Sequence, residues 1–162
     1  MMKAEYLNPF IQSSKSIINQ TTGLTTSLGK IYNKTAPYRG DNVLVLIGLT
    51  GDIQGSVTIS LTNELTCKIA SCMMGGFPVP ELNEIAISAI SELCNMIMGN
   101  TANLFSNINV NIDITPPTVL TGENIKLTPS KSVVVCVPLH FEDNETIEID
   151  ITYIEKSKDI DS

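Results

Sequence analysis

The 162 residues are 43% hydrophobic and 17% charged, with a net charge of −7 and a pI near 4.6. That length and apolar content suit one domain with a proper core and exclude a disordered chain. The acidic balance, with no basic run, excludes nucleic acid as a partner, because phosphate binding needs a basic surface.

The amino terminus has no charged start followed by an apolar stretch and a cleavage site, and no apolar run is long enough to cross a bilayer. A cytoplasmic protein without membrane insertion is expected. Cys67, Cys72, Cys94 and Cys136 stand among apolar neighbours without a Cys-x-x-Cys pair. Buried free thiols in a reducing compartment are the expectation.

In chain order, Asn8 reads as an N-cap with Pro9 at the first helical position, and Phe10, Ile11, Ser14, Ile17 and Ile18 give an amphipathic helix ending near Gly23. Residues 24–32 read as a first strand, followed by a polar turn containing Pro37 and Gly40. The aliphatic run 43–50, the turn at Gly51-Asp52 and the alternating stretch 55–61 predict a hairpin. Thr62 should cap a second helix that stops at Gly75-Gly76.

A glycine and proline linker over 75–80 leads into a long helix over 81–106. Helical spacing puts Ile85, Ala86, Ala89, Ile90, Leu93, Met96, Ile97 and Leu104 on a core face. Ser88, Glu92, Asn95 and Gly99 gather into an arc about 60° wide on the other side. By spacing alone a solvated face is the ordinary reading of this stripe, and a docking ridge is the alternative.

Beyond it, residues 108–114 alternate as a half-exposed strand ended by Pro116-Pro117, and 119–128 is irregular with at most a small strand. The β-branched run 132–141 contains Pro138, which predicts an edge or a bulge. Residues 145–155 alternate as a last strand after a turn at Asp143-Asn144, with Glu148 and Asp150 read as solvated charges. The result is an α+β class, a largely antiparallel sheet with helices packed on one side, in a single domain over 1–155 with a polar tail over 156–162.

Other chemistry is poorly supported. His140, the sole histidine, sits at a strand end and reads as a structural or surface residue, and Gly75-Gly76 lacks the lysine and hydroxyl of a phosphate loop. Met73, Met74, Met96 and Met98 read as core filling.

The segment from Ser88 to Asn100, SAISELCNMIMGN, resembles the signature helix of the CheC/CheX/FliY family of chemotaxis phosphatases. That motif is an Asp or Ser, three residues, a Glu, two residues and an Asn, usually followed by Gly-Asn. Residues 7–11, the glycine-bounded hairpin around 51–59 and the end of the second helix at Met73-Met74-Gly75 also have counterparts, those at the amino terminus in CheX. Here 20 and 21 residues separate Asn95 from Pro116 and Pro117, against about 22 in the family pattern, so that loop is slightly shorter.

The resemblance implies a CheC-like domain with one copy of the signature helix. It also implies a phosphatase acting on the phospho-aspartate of a CheY-like response regulator. Glu92 and Asn95 would be catalytic, with Asn95 positioning the attacking water and Glu92 pairing with a regulator lysine. Ser88, Ser91, Gly99 and Asn100 would bind the partner. The protein would need no cofactor of its own, the regulator would hold Mg²⁺, and two copies would pair through their sheets, with the strand around 133–137 offering one edge. The alternatives are a non-catalytic adaptor that docks a response regulator and a dimerisation module.

Overall fold

The computed structural model describes residues 2–129 and 133–153. The expected tail over 156–162 and the ends of the predicted strands at Ser132 and 154–155 lie outside the described residues. The elements are α1 (Ala4–Thr22), β1 (Thr26–Leu28), β2 (Tyr32–Lys34), β3 (Tyr38–Arg39), β4 (Val43–Gly51), β5 (Gly55–Leu61) and α2 (Asn63–Met73). They continue with α3 (Glu84–Ser106), β6 (Ile112–Ile114), β7 (Thr118–Thr121), β8 (Lys126–Leu127), β9 (Val133–Phe141) and β10 (Thr146–Tyr153).

The main sheet runs β1-β9-β10-β5-β4-β6, with β2 also on β9 and β7 also on β4, and every pairing is antiparallel. Alternation decides its faces. Val43, Val45, Ile47 and Leu49 of β4, Val57 and Ile59 of β5, and Ile147, Ile149 and Ile151 of β10 share one core with Phe10 and Ile18 of α1, Leu65 and Ile69 of α2, and Ile90, Leu93 and Ile97 of α3. The class is the expected α+β, with an antiparallel sheet and three helices among the described residues. No described helix is long and apolar enough to cross a membrane.

The structure corrects several boundaries. Helix α1 starts at Ala4 after Lys3, so Asn8 and Pro9 lie inside it. Met2 and Leu7 are buried in the core, and their burial offsets the backbone bond lost at Pro9. Its other end is as expected, with Gly23 at φ 74° donating its N–H to Asn19 O. Residues 24–32 form no continuous strand, only β1 and the start of β2.

The run 108–114 pairs only over Ile112–Ile114, because β4 offers it partners only at Leu49–Gly51. Upstream, Asn109 takes a positive φ of 60°, and the N–H groups of Ile108 and Val110 close on Phe105 O as a helix end. Strand β9 is not an edge. Its outer side is paired in two pieces, Thr26–Leu28 against 139–141 and Tyr32–Lys34 against 134–136, and Pro138 faces the break between them. A residue with no N–H to donate fits where the neighbouring strand is interrupted.

Candidate functional site

Helix α3 starts where the chain changes from linker to apolar spacing. Asn83 caps it, its Oδ1 accepting from Ala86 N at 3.0 Å, so Glu81 and Leu82 stand outside the helix. Ala86, Ile90, Leu93, Cys94, Ile97, Met98, Thr101 and Phe105 are buried. Of the expected core face, Ala89, Met96 and Leu104 are half-buried, and Ile85 is 51% exposed and belongs to the outer surface. Among the cysteines, Cys94 and Cys136 are buried while Cys67 and Cys72 are half-buried.

The helix is fixed against α1 by a short polar relay. Ser13 Oγ donates to Ile97 O at 2.7 Å and accepts from Asn100 Nδ2 at 3.1 Å, and Phe10 meets Phe105 edge-on at 5.4 Å between centroids. Asn100 is thus half-buried and turned to α1, away from the outward stripe. Ser88, Glu92 and Asn95 are exposed on that stripe, with Gly99 half-buried at its end. A Cβ built at Gly99 would meet nothing within 4 Å. Neither the Glu92 carboxylate nor the Asn95 carboxamide has a hydrogen bond or ion pair among the described residues.

Beside the stripe lies an open concavity of about 330 Å³ lined by Ser91, Glu92, Asn95, Ile114, Thr115, Pro116 and Pro117. Its far wall is the end of β6 and the loop after it. Thr115 holds that wall to β4, its N–H donating to Gly48 O at 3.1 Å and its Oγ1 accepting from Gly48 N at 2.8 Å. A side chain at position 48 would press on Thr115 Cγ2 at 3.0 Å, so glycine permits this approach. The sequence marked Pro116 and Pro117 as strand terminators, and Ile114 and Thr115 as lining residues carried no signal of their own.

A second polar cluster sits on the sheet face away from the helices. Asp150 is fully buried and Glu148 half-buried, so these are not the solvated pair the alternation suggested. Lys34 Nζ lies 2.5 Å from Glu148 and 2.9 Å from Asp150, and 4.7 Å from the Tyr38 ring centroid. Burial alone would depress the Lys34 ammonium, but its bonds to Glu148 and the charge of Asp150 outweigh that and raise it. Burial raises the Asp150 carboxyl, with Lys34 opposing. Cys136, Glu148 and Asp150 bring potential ligand atoms within 4.8 Å of one another, with the Lys34 ammonium bound to both carboxylates. His140 is exposed at a strand end, its Nδ1 2.8 Å from Thr146 Oγ1.

Residues 43–140 match the family model described as Chemotaxis phosphatase CheX. A CheY-P phosphatase CheX from Thermotoga maritima is 32% identical over 151 residues, covering 93% of this chain and 97% of that one. Among solved structures, a CheC-like superfamily protein from Shewanella sp. PV-4 superposes with a TM-score of 0.84 at 26% identity, covering 94% and 99% of the two chains. The CheX–CheY–BeF3–Mg²⁺ complex from Borrelia burgdorferi gives a TM-score of 0.77 at 27% identity over 93% and 98%. The chain that carries the outward Glu92–Asn95 pair on a helix seated against α1 belongs to the CheX family of chemotaxis phosphatases.

Proposed function

We propose that this phosphatase hydrolyses the aspartyl phosphate of a CheY-like response regulator, with Asn95 orienting the attacking water and Glu92 fixing the docked regulator. The observation that carries the reading is that both side chains point out of α3, one turn apart and without a partner among the described residues, beside a walled concavity. Polar groups kept free on a rigid element are available to another molecule.

An acyl phosphate already has a good leaving group, so the reaction needs chiefly a water in line with the phosphorus. The Asn95 carboxamide oxygen accepts a hydrogen from that water while its NH₂ donates elsewhere. As the water oxygen bonds to phosphorus, the bond to the aspartyl oxygen breaks, the aspartate leaves as a carboxylate, and the proton stays with inorganic phosphate. Mg²⁺, held by the regulator, neutralises the phosphoryl oxygens. Glu92 forms a charge-assisted pair with the regulator's phosphate-site lysine and sets the register. Ser88, Ser91 and Gly99 complete the contact, and the burial of the Asn100 amide against Ser13 supports a positioning part for that residue instead.

The protein acts in the cytoplasm, where such regulators reside, and pairs as a homodimer. The free edge of β1 and β2, with Leu28 and Tyr32 exposed, fits a sheet-to-sheet contact, and light scattering of the purified chain reads the oligomer.

The test follows loss of aspartyl phosphate from a CheY-like regulator in Mg²⁺, comparing the native chain with Asn95→Ala. The expected result is acceleration by the native protein and a loss on the order of 10²-fold in kcat for the variant, with binding retained. Equal turnover by both overturns the role of Asn95, and binding by both without any acceleration makes the protein an adaptor.

A further inference from the structure

Resting on the docking of a regulator along α3, we propose that its docking surface extends past the Glu92–Asn95 pair to the first turn of that helix. There Ile85 is an apolar anchor in an acidic setting, and it takes a patch on the response regulator that combines an apolar group with basic ones.

Ile85 is 51% exposed, and the fold does not account for it. The core face of α3 begins at Ala86. The hydrophobic staple positions at this helix start are Leu82, before the cap, and Ile87, the fourth helical residue, both half-buried. Ile85 belongs to neither set. A β-branched residue is also a weaker helix former than the alanine, leucine or glutamate that an exposed first turn ordinarily favours.

Its direction is that of the site. At about 100° per residue, Glu84, Asn95, Ser88, Gly99, Glu92 and Ile85 follow one another around the helix within an arc of about 100°. All are exposed except Gly99, which is half-buried. Ile85 lies about 15 Å along the axis from Asn95, within the width of a standard protein interface of about 800 Å² per partner. A regulator seated on the pair therefore covers Ile85.

Charge selects the partner further. Between Lys68 and Lys126 the chain contains no Lys or Arg, while Glu81, Glu84, Glu92, Asp113 and Glu123 are all present and all exposed. Helix α3, the linker before it and the proline loop beside it carry no positive charge of their own. A basic partner surface is attracted to this stretch, which has acidic residues and no cation of its own, and that raises the rate of encounter.

The experiment measures binding and turnover separately, using a CheY-like regulator activated with BeF3⁻ and Mg²⁺ for the first and phosphorylated regulator for the second. Ile85→Asp is expected to raise Kd and KM about 10-fold, the loss typical of a buried interface residue, with kcat within about twofold of native. Ile85→Ala, which keeps the helix, should raise both by a smaller factor, and Glu84→Lys should slow association with an effect that fades as salt increases. Native Kd and KM in both Ile85 variants would overturn the proposal. Asn95→Ala distinguishes its failure from that of the catalytic reading, because loss of turnover with native Kd there leaves the mechanism standing whatever Ile85 does.

Discussion

At the scale of single residues, the site is defined by what its side chains lack. Glu92 and Asn95 have no partner among the described residues, so replacing either should change function with little change in stability. Glu92→Gln keeps the shape and removes the charge. It is expected to raise KM several-fold with a smaller effect on kcat, and to flatten the salt dependence of regulator binding, measured by titration at two ionic strengths. Gly99 gives a sharper contrast. Open space around a Cβ there means the fold does not require glycine. Gly99→Leu should therefore stabilise the helix by roughly 0.5–1 kcal/mol while weakening regulator affinity, since the added side chain stands where the partner backbone must approach. Urea denaturation and a binding titration on the same variant read the two effects with opposite sign.

At the scale of elements, α3 shows how much was legible in advance. Its apolar spacing predicted Ala86, Ile90, Leu93 and Ile97 as core, and all four are buried. Ile85 was misread because it stands at the border of the wheel, about 20° from Glu92 on the outward stripe. Ala86, about 100° further round in the same turn, is fully buried. Asn100 follows the stripe in sequence, and only the packing of α1 reveals that its amide faces Ser13. The same limit explains β9. Pro138 signalled an interruption correctly, but the interruption is in the neighbour, where β1 and β2 divide the outer edge. Elements were readable from local period, whereas their partners depended on distant residues, 87 positions from Ser13 to Asn100 and 115 from Thr26 to Phe141. The Ser13 relay makes this testable. Ser13→Ala removes the buried donor to Ile97 O and leaves the Asn100 amide without its acceptor. The expected loss is about 1–3 kcal/mol by chemical denaturation, with reduced kcat if α3 shifts against the loop at Thr115.

At the scale of the whole molecule, the outer sheet face is tied together by charge. Lys34 on β2 reaches across β9 to Glu148 and Asp150 on β10, which joins the divided edge of the sheet to its centre. Breaking a buried pair from one side is costlier than never having it, because the remaining charge keeps its desolvation penalty. Lys34→Ala is therefore expected to lose about 3–5 kcal/mol, and adding Asp150→Asn should restore a substantial part of it, because the fully buried member then carries no charge. The alkaline limb checks the same cluster independently. Lys34 is raised above its ordinary value of 10.5, so its contribution is complete below that pH and is lost as pH climbs through the raised value. Tyr32 is raised by burial from 10.0 to about 12, so between those values the unfolded chain releases a proton that the folded one keeps. Both groups make stability fall with rising pH. Urea midpoints should decline from about pH 9 upward in the native protein, where the buried Cys94 and Cys136 thiols, also raised by burial, begin to add to the loss, and Lys34→Ala should start lower and decline less steeply above about pH 10 because the lysine contribution is gone. A parallel decline in both proteins would mean that the ammonium is not held by these carboxylates in solution.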